Sequence, residues 1–172
     1  MTWVIVTSIA ALLALLAILV RGGLLRLRDS VRESWESLDS LLLERHDLLT
    51  KLVEHCVGRM RYEQPALERV SRADAATFAA AARGNIPALA AAEMLLRASV
   101  SELFALSENY PALGGDPAFA GLRGRARAMD AAIAERREHY NSAANLLNVR
   151  SQAFPHRMIA RAIGLRAPAL FE

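Results

Sequence analysis

An uninterrupted run of 18 uncharged residues, from Trp3 to Val20, constrains the fold of this chain more than any other feature. A helix of that length rises about 27 Å, close to the hydrocarbon thickness of a bilayer. The rest of the chain reads as amphipathic helix and cannot enclose an uncharged segment on all sides, which disfavours a buried core helix. The run therefore predicts a transmembrane anchor over residues 1–23.

The charges that flank the run give the anchor a direction. No Lys or Arg precedes it, whereas Arg21, Arg26 and Arg28 follow it directly. Under the positive-inside rule this asymmetry predicts a short N-terminus outside and the remaining residues in the cytoplasm. Trp3 is expected at the membrane interface. A cleaved secretory signal would carry a basic residue ahead of the run and small residues at its cleavage site, and the residues after Val20 fit that pattern poorly.

Composition favours helices and a single soluble domain. Apolar residues make up 53% of the 172 residues while aromatic residues make up only 6%, a balance that suits close helix packing better than sheets. The roughly 150 residues outside the anchor suffice for one core. The single cysteine, Cys56, excludes an internal disulfide and, inside an apolar stripe, is expected to be a small buried hydrophobe.

Positive charge is concentrated at two ends of the chain. Residues 21–32 carry +3 (four Arg, one Asp), residues 33–154 carry −2, and residues 155–172 carry +2. Cations near a membrane attract anionic lipid by about 1 kcal/mol each. The lipid bilayer is therefore the expected partner of both basic ends, and no nucleic acid is needed to explain them.

Apolar residues at steps of three and four begin at Val31 and continue to Cys56, with Arg45 interrupting the stripe. Such a stripe predicts a helix with a coiled-coil-like seam. We expect this helix to continue directly from the anchor, because Gly22 and Gly23 weaken a helix without ending it.

Proline and glycine divide the remaining residues into further helices. Pro65 ends the first soluble helix, and a second, Ala-rich helix follows over residues 66–82. Gly84 and Asn85 suit the C-cap and N-cap of two successive helices, so a third helix is expected to run to about residue 109. After a turn at residues 111–117, a fourth helix is expected to end near residue 150.

The predicted fold is all-α, with the N-terminal transmembrane helix continuing into a long antiparallel helical bundle over residues 24–154. Four helices running up and down are preferred, because the long fourth helix then returns beside the long first one and delivers the C-terminus towards the membrane. In the alternative there are three helices, and Pro65 only kinks one helix that runs from the anchor to Ala82.

A basic amphipathic tail occupies residues 155–172. Arg157, Arg161 and Arg166 are interspersed with apolar residues such as Met158 and Ile163. Such a segment is expected either to lie on the bilayer surface or to cap the open end of the bundle.

The order and spacing of several motifs resemble the LemA family of bacterial membrane proteins. The motifs are Val31…Trp35…Leu38-Asp39…Leu42…Arg45…Asp47-Leu48, Glu108-Asn109-Tyr110-Pro111-Ala112-Leu113, Phe119…Leu122, Ile133-Ala134…Arg137…Tyr140-Asn141…Asn148…Phe154-Pro155, Gly164 and Phe171-Glu172.

The resemblance implies a single-span anchor in the bacterial inner membrane, a short outside N-terminus and a cytoplasmic helical bundle, with no established biochemical activity. The chain departs from the family pattern at Thr50, where proline is usual, at Leu147, where tyrosine is usual, and at Asp130, where glutamate is usual. These departures concern polar positions at the helix pairing and leave the implied fold intact.

Catalytic motifs are absent from the sequence. A di-metal carboxylate bundle would need Glu-x-x-His motifs on two helices; Glu135 and His139 stand four apart without a second His-bearing set. There is no Gly-rich phosphate loop, Cys-x-x-Cys or nucleophile elbow. No enzyme and no cofactor are therefore expected, and a solvated charged face explains Glu135 and His139 better than a metal site does.

Four polar residues are candidates for an interhelical network: Asp39 and Arg45 on the first helix, and Asn141 and Asn148 on the fourth. Antiparallel pairing would bring the two pairs together inside the bundle. Such a network usually sets the register between helices, although a ligand or partner site remains the alternative.

The sequence therefore favours a membrane-anchored scaffold or adaptor that binds itself or other membrane proteins. A homo-oligomer is expected to form through the Ala-rich second and third helices. The alternative is membrane-surface remodelling or lipid sensing through the juxtamembrane and C-terminal basic segments. A metal-dependent enzyme is the least favoured hypothesis.

Overall fold

The computed structural model describes residues 1–60 and 62–171. These residues are predominantly helical, and none of them is in a β-strand. The helices are α1 Thr2–Val57, α2 Gln64–Ala82, α3 Ile86–Ser107, α4 Pro111–Gly114, α5 Pro117–Gln152 and α6 His156–Ala162.

Helix α1 is unbroken over 56 residues. It passes through Gly22 and Gly23 without interruption, and a Cβ atom at either glycine would meet nothing within 4 Å. The prediction that the anchor continues directly into the first soluble helix is therefore confirmed.

Proline and glycine mark the starts of α2 and α3 as predicted, but α1 already ends at Val57, before Pro65. Pro65 lies in the first turn of α2, where its missing N–H costs nothing. Gly84 has a φ of +60°, and the Asn85 side chain accepts a hydrogen bond from the backbone N–H of Ala88 at 3.1 Å. Because Gly58–Met60 leave the helical conformation between α1 and α2, the three-helix alternative is wrong.

The chain divides into two compact units. The terminal unit comprises Met1–Trp35 and His139–Leu170, and the central unit comprises Glu36–Glu138 with Phe171. Helices α1 and α5 each contribute residues to both.

The central unit has a conventional apolar core. Leucines and other apolar residues from the end of α1, from α2 to α4 and from the start of α5 are buried together, among them Leu52, Leu67, Leu103 and Phe119. Cys56 is fully buried in this core, as predicted, and burial raises the pKa of its thiol to about 11. It is therefore a core residue rather than a nucleophile.

The terminal unit packs the end of α5 and the residues after it against the first part of α1. Leu24 on α1 and Leu147 on α5 are buried, and the Trp35 and Tyr140 rings meet edge to face with centroids 5.8 Å apart. Trp35 is the last α1 residue of this unit and Tyr140 is among its first α5 residues, so the two helices run antiparallel there.

Candidate functional site

The N-terminal half of α1 is a candidate membrane span. Its most apolar 18-residue window has a mean hydropathy of 2.8 and is 6% buried, so it is not a core helix of this fold. The Thr7 and Ser8 hydroxyls donate to the Val4 carbonyl at 3.0 and 2.8 Å, which satisfies both groups without water. Trp3 is 82% exposed.

The basic flank of the span is open to solvent. Arg21, Arg26 and Arg28 are all exposed, whereas Val20 is buried. Arg28 forms an ion pair with the neighbouring Asp29 at 3.0 Å, and both side chains are more than half exposed. An exposed pair of this kind contributes little stability, which leaves these cations available to a surface of opposite charge.

A buried ion cluster lies in the central unit around Arg45. The Arg45 side chain is 6% exposed and that of Glu93, on α3, is 4% exposed. Arg45 Nη1 donates to Glu93 Oε2 at 2.9 Å and Nη2 donates to Glu93 Oε1. Asp130 Oδ1, on α5, lies 3.5 Å from Nη1. One guanidinium thus pairs with two carboxylates that come from two other helices, and the three ionised groups together carry a net charge of −1.

Burial and ion pairing shift the pKa values of this cluster in opposite directions. Burial lowers the pKa of Arg45, but the hydrogen bond and charge of Glu93 and the charge of Asp130 more than compensate, and the pKa is raised. For Asp130 the loss of solvation outweighs the attraction of Arg45, so its pKa is raised too. Arg45 therefore stays charged, while Asp130 accepts a proton more readily than an exposed aspartate does.

A second polar pair, next to Arg45 in sequence, joins α1 to α2. His46 Nδ1 lies 2.6 Å from Asp74 Oδ2, and the His46 ring stacks on Phe78 with a centroid distance of 4.9 Å. Burial raises the pKa of Asp74 even though the hydrogen bond from His46 lowers it.

A third pair fastens the start of α5 to the end of α1. His55 Nε2 lies 2.7 Å from Asp116 Oδ2, and Asp116 Oδ1 accepts from the Ala118 N–H at 2.9 Å. The hydrogen bonds from His55 and from the Ala118 backbone hold the pKa of Asp116 below its ordinary value.

The four residues of the predicted interhelical network differ in their exposure and in their bonding partners. Arg45 binds Glu93 and Asp130 as described, and Asp39 is exposed. Asn148 Nδ2 donates to the Pro168 carbonyl at 3.1 Å, and Asn141 is half-buried. The joint network of Asp39, Arg45, Asn141 and Asn148 stays a prediction.

Sequence reasoning missed Glu93 and Asp74, although a signal for both was present. Glu93 occupies a core position of α3, four residues after Leu89 and three before Leu96, both of them buried. Asp74 likewise lies four residues after a buried apolar residue, Val70, on α2. A carboxylate at a buried position of an apolar stripe needs a buried cation or donor, and Arg45 interrupts the stripe of α1 in the same way.

Residues 168–171, the C-terminal strap, lie along α5. Asn148 holds Pro168, and the Tyr140 hydroxyl donates to the Ala169 carbonyl at 3.0 Å. Within the central unit, the Arg137 guanidinium carbon lies 4.8 Å from the centroid of the Phe171 ring, and Phe171 is buried. The final residue, Glu172, is outside the described residues.

The tail that precedes the strap contains the short helix α6. Arg157, Arg161 and Arg166 are all exposed. Phe154 is 83% exposed and Met158 is 66% exposed, so large apolar groups and cations share the surface of this segment.

No group of three or more metal-ligating side chains is assembled among residues 1–60 and 62–171. Glu135 and His139 both have interaction partners within the protein.

Together these features define a class: an all-α protein that has, among its described helices, one candidate membrane span near the N-terminus. The family model for the LemA family matches residues 34–172, most of the chain. The chain therefore belongs to the LemA family, which confirms the resemblance seen in the motifs. No curated protein matches the sequence. The LemA family is not a known enzyme family.

Proposed function

We propose that this LemA-family protein is a membrane-anchored scaffold that binds a second copy of itself and other membrane proteins and performs no catalysis. The observation that carries the proposal is an apolar strip on the exposed side of α3. This α3 strip consists of Ala88, Ala91, Met94, Leu95 and Ala98.

The α3 strip is open where a soluble helix would ordinarily carry polar residues. Met94 is 69% exposed and Leu95 is 64% exposed, and the three alanines beside them allow a second helix to approach closely. Large exposed apolar groups in a contiguous patch usually mark an interaction surface.

The size of the strip fits association between tethered copies. A 22-residue helix is about 33 Å long and presents roughly 300 Å² on one face, well below the roughly 800 Å² per partner of a stable interface. Two copies anchored in one membrane share a high effective concentration, so a small symmetric contact is sufficient there.

Site-directed crosslinking tests the self-association. Leu95→Cys in the full chain, oxidised in native membranes, is expected to give a disulfide-linked dimer, because a two-fold axis through the strip brings the two cysteines together. Glu68→Cys, on the exposed side of α2, is the matched control and should stay monomeric. Equal crosslinking at both positions, or at neither, would contradict the proposal.

A charge introduced into the strip gives an independent measure. Leu95→Asp should abolish self-association in nanodiscs, measured by single-molecule photobleaching, since it buries an unpaired carboxylate at the contact. Leu43→Asp, at a residue that is 51% exposed on α1, should leave it unchanged.

We place the protein in the bacterial inner membrane with the N-terminus outside, on the grounds of the arginines that follow the span. Thr2→Cys should react with a membrane-impermeant maleimide in intact cells, whereas Ser142→Cys, an exposed position on α5, should react only after permeabilisation. The opposite pattern would reverse the orientation.

A second candidate function, remodelling or sensing of the membrane surface, is favoured by the composition of the terminal unit. The juxtamembrane arginines and the tail arginines belong to the same compact unit, and exposed Phe154 and Met158 offer apolar groups for insertion among lipid headgroups.

Fluorescence quenching by brominated lipid tests this candidate. Phe154→Trp in the full chain, with the native Trp3 and Trp35 replaced by Phe, should be quenched in anionic nanodiscs and less so in zwitterionic ones. Neutral glutamine at Arg157, Arg161 and Arg166 should remove the quenching, and high salt should reduce it. A tryptophan that is quenched equally with and without the three arginines would refute a lipid-binding tail.

A further inference from the structure

A cavity of about 540 Å³ opens on the central unit between α3 and α5. Its lining consists of Glu93, Met94, Arg97, Ala98, Ser101 and Arg137. This volume lies within the range of small-molecule sites in proteins. Neither the family match nor the scaffold proposal assigns it a role.

Three hydrogen-bond donors, Arg97, Ser101 and Arg137, line this cavity, and none of them forms a hydrogen bond to a described residue. Arg97 and Arg137 form no ion pair with any described residue, and Arg137 is held instead against the face of the Phe171 ring. Ser101 also makes no hydrogen bond to its own helix among the described residues, in contrast to Ser99, which donates to Leu95 O at 2.9 Å. Arg97 and Ser101 are one helical turn apart, so both face the cavity.

The charge around the cavity is positive. Buried Arg45 binds Glu93 and lies close to Asp130, and Asp130 also interacts electrostatically with Arg97. Three cations, Arg45, Arg97 and Arg137, thus face two carboxylates, which gives a net charge of +1. Stacking on Phe171 fixes the plane of the Arg137 guanidinium while its N–H edges stay available. A guanidinium held in this way loses little conformational entropy when a ligand binds.

We infer that this cavity binds the phosphate group of a small phosphorylated ligand. Two guanidinium forks and one hydroxyl supply donors for the three terminal oxygens of a phosphomonoester, and Met94 and Ala98 supply an apolar wall for the organic part of the ligand. The site adds ligand binding to the proposed scaffold role, and it shares Met94 and Ala98 with the α3 strip.

Isothermal titration of the full chain in phosphatidylcholine nanodiscs with inorganic phosphate, at constant ionic strength, tests the site. Saturable binding of one phosphate per chain is expected. Arg97→Gln should weaken it by at least about tenfold, because a charge-assisted hydrogen-bonding group is lost. Arg97→Lys, which keeps the charge but loses the fork, should weaken it by a smaller factor.

Arg127→Gln is the matched control. Arg127 is also on α5 and also lies over an aromatic ring, that of Phe104, at 5.9 Å, but it does not line this cavity. Its substitution should leave phosphate binding within about twofold of the wild type. Circular dichroism confirms that each variant is folded, and Ser101→Ala, which removes no charge and no packing, should also weaken binding.

Two nanodisc compositions separate the sources of the phosphate. Phosphate affinity that is equal in phosphatidylcholine and phosphatidic acid nanodiscs assigns the site to a soluble ligand, whereas competition by phosphatidic acid assigns it to a lipid headgroup. The absence of saturable binding, or an equal loss in Arg97→Gln and Arg127→Gln, would overturn the inference. Leu95→Asp retains the cavity donors, so the site and the self-association can fail independently.

Discussion

The two compact units of this protein carry opposite net charge. The terminal unit, residues 1–35 and 139–170, has eight arginines and two carboxylates, a net +6. Residues 36–138 of the central unit have 13 cations and 15 carboxylates, a net −2. With the −1 of Glu172, the sum is the +3 of the whole chain.

The two units also use charge in different ways. The central unit contains a cluster of charges that are paired across helices and largely buried, that of Arg45 with Glu93 and Asp130. In the terminal unit the juxtamembrane and tail arginines are exposed, and the C-terminal strap is held by neutral hydrogen bonds to backbone carbonyls. Charge thus specifies internal pairing in the one and an outer surface in the other.

Removal of the buried cation should have the largest effect on stability. Arg45→Leu leaves Glu93 buried without a partner and should lower the free energy of unfolding by about 3–5 kcal/mol. Thermal and denaturant unfolding of the detergent-solubilised chain measures this loss.

The matched control is an exposed ion pair in the same unit. Arg69 Nη2 lies 2.6 Å from Glu102 Oε1, and both side chains are nearly half exposed, so Arg69→Leu should cost less than about 1 kcal/mol. The double variant Arg45→Leu/Glu93→Leu should recover much of the loss, because it removes both buried charges. A double variant as unstable as Arg45→Leu would show that burial of charge is not the cause.

A neutral hydrogen bond in the terminal unit should matter less. Tyr140→Phe removes the bond to the Ala169 carbonyl and should lower the free energy of unfolding by about 0.5–1.5 kcal/mol. Carboxypeptidase digestion of the chain end should also become faster as the strap loosens. Tyr62→Phe, at a residue that is 90% exposed, is the control. An equal effect of both substitutions would show that the hydrogen bond from Tyr140 to the strap does not contribute to stability.

The change of folding stability with pH should be the smallest effect, and Asp74 and Asp116 should contribute to it with opposite signs. The pKa of Asp74 is raised, so its contribution to stability is complete below the ordinary value near 3.8 and is lost as pH rises through the folded value. The pKa of Asp116 is lowered, so its contribution is present above the ordinary value and is lost as pH falls through the folded value.

Melting temperatures of the asparagine variants measure these signs. Relative to the wild type, Asp74→Asn should gain stability from about pH 3 to about pH 7, whereas Asp116→Asn should lose stability over the same range. The constant cost of each substitution cancels in the pH difference. Parallel curves for the two variants would contradict both assignments.

Much of the fold could be predicted from local sequence. The uncharged run, the apolar stripe that ends at Cys56, and the helix boundaries at Pro65 and Gly84 all depend on interactions within a few residues. The polar contacts could not be predicted in the same way. A stripe tells which face of a helix is buried, but not which residue of another helix lies opposite, and Glu93 is 48 residues from Arg45 in sequence.

The sequence by itself determined that the chain is helical, that one segment can span a bilayer, and where the helices break, because these properties depend on hydropathy, periodicity and the backbone limits of proline and glycine. Only the tertiary structure decided that Arg45 pairs with two carboxylates, that the basic ends belong to one unit, and that Arg97, Ser101 and Arg137 line one cavity. Each of these depends on packing between residues distant in sequence, where shape and burial select one pairing among many that are chemically equivalent.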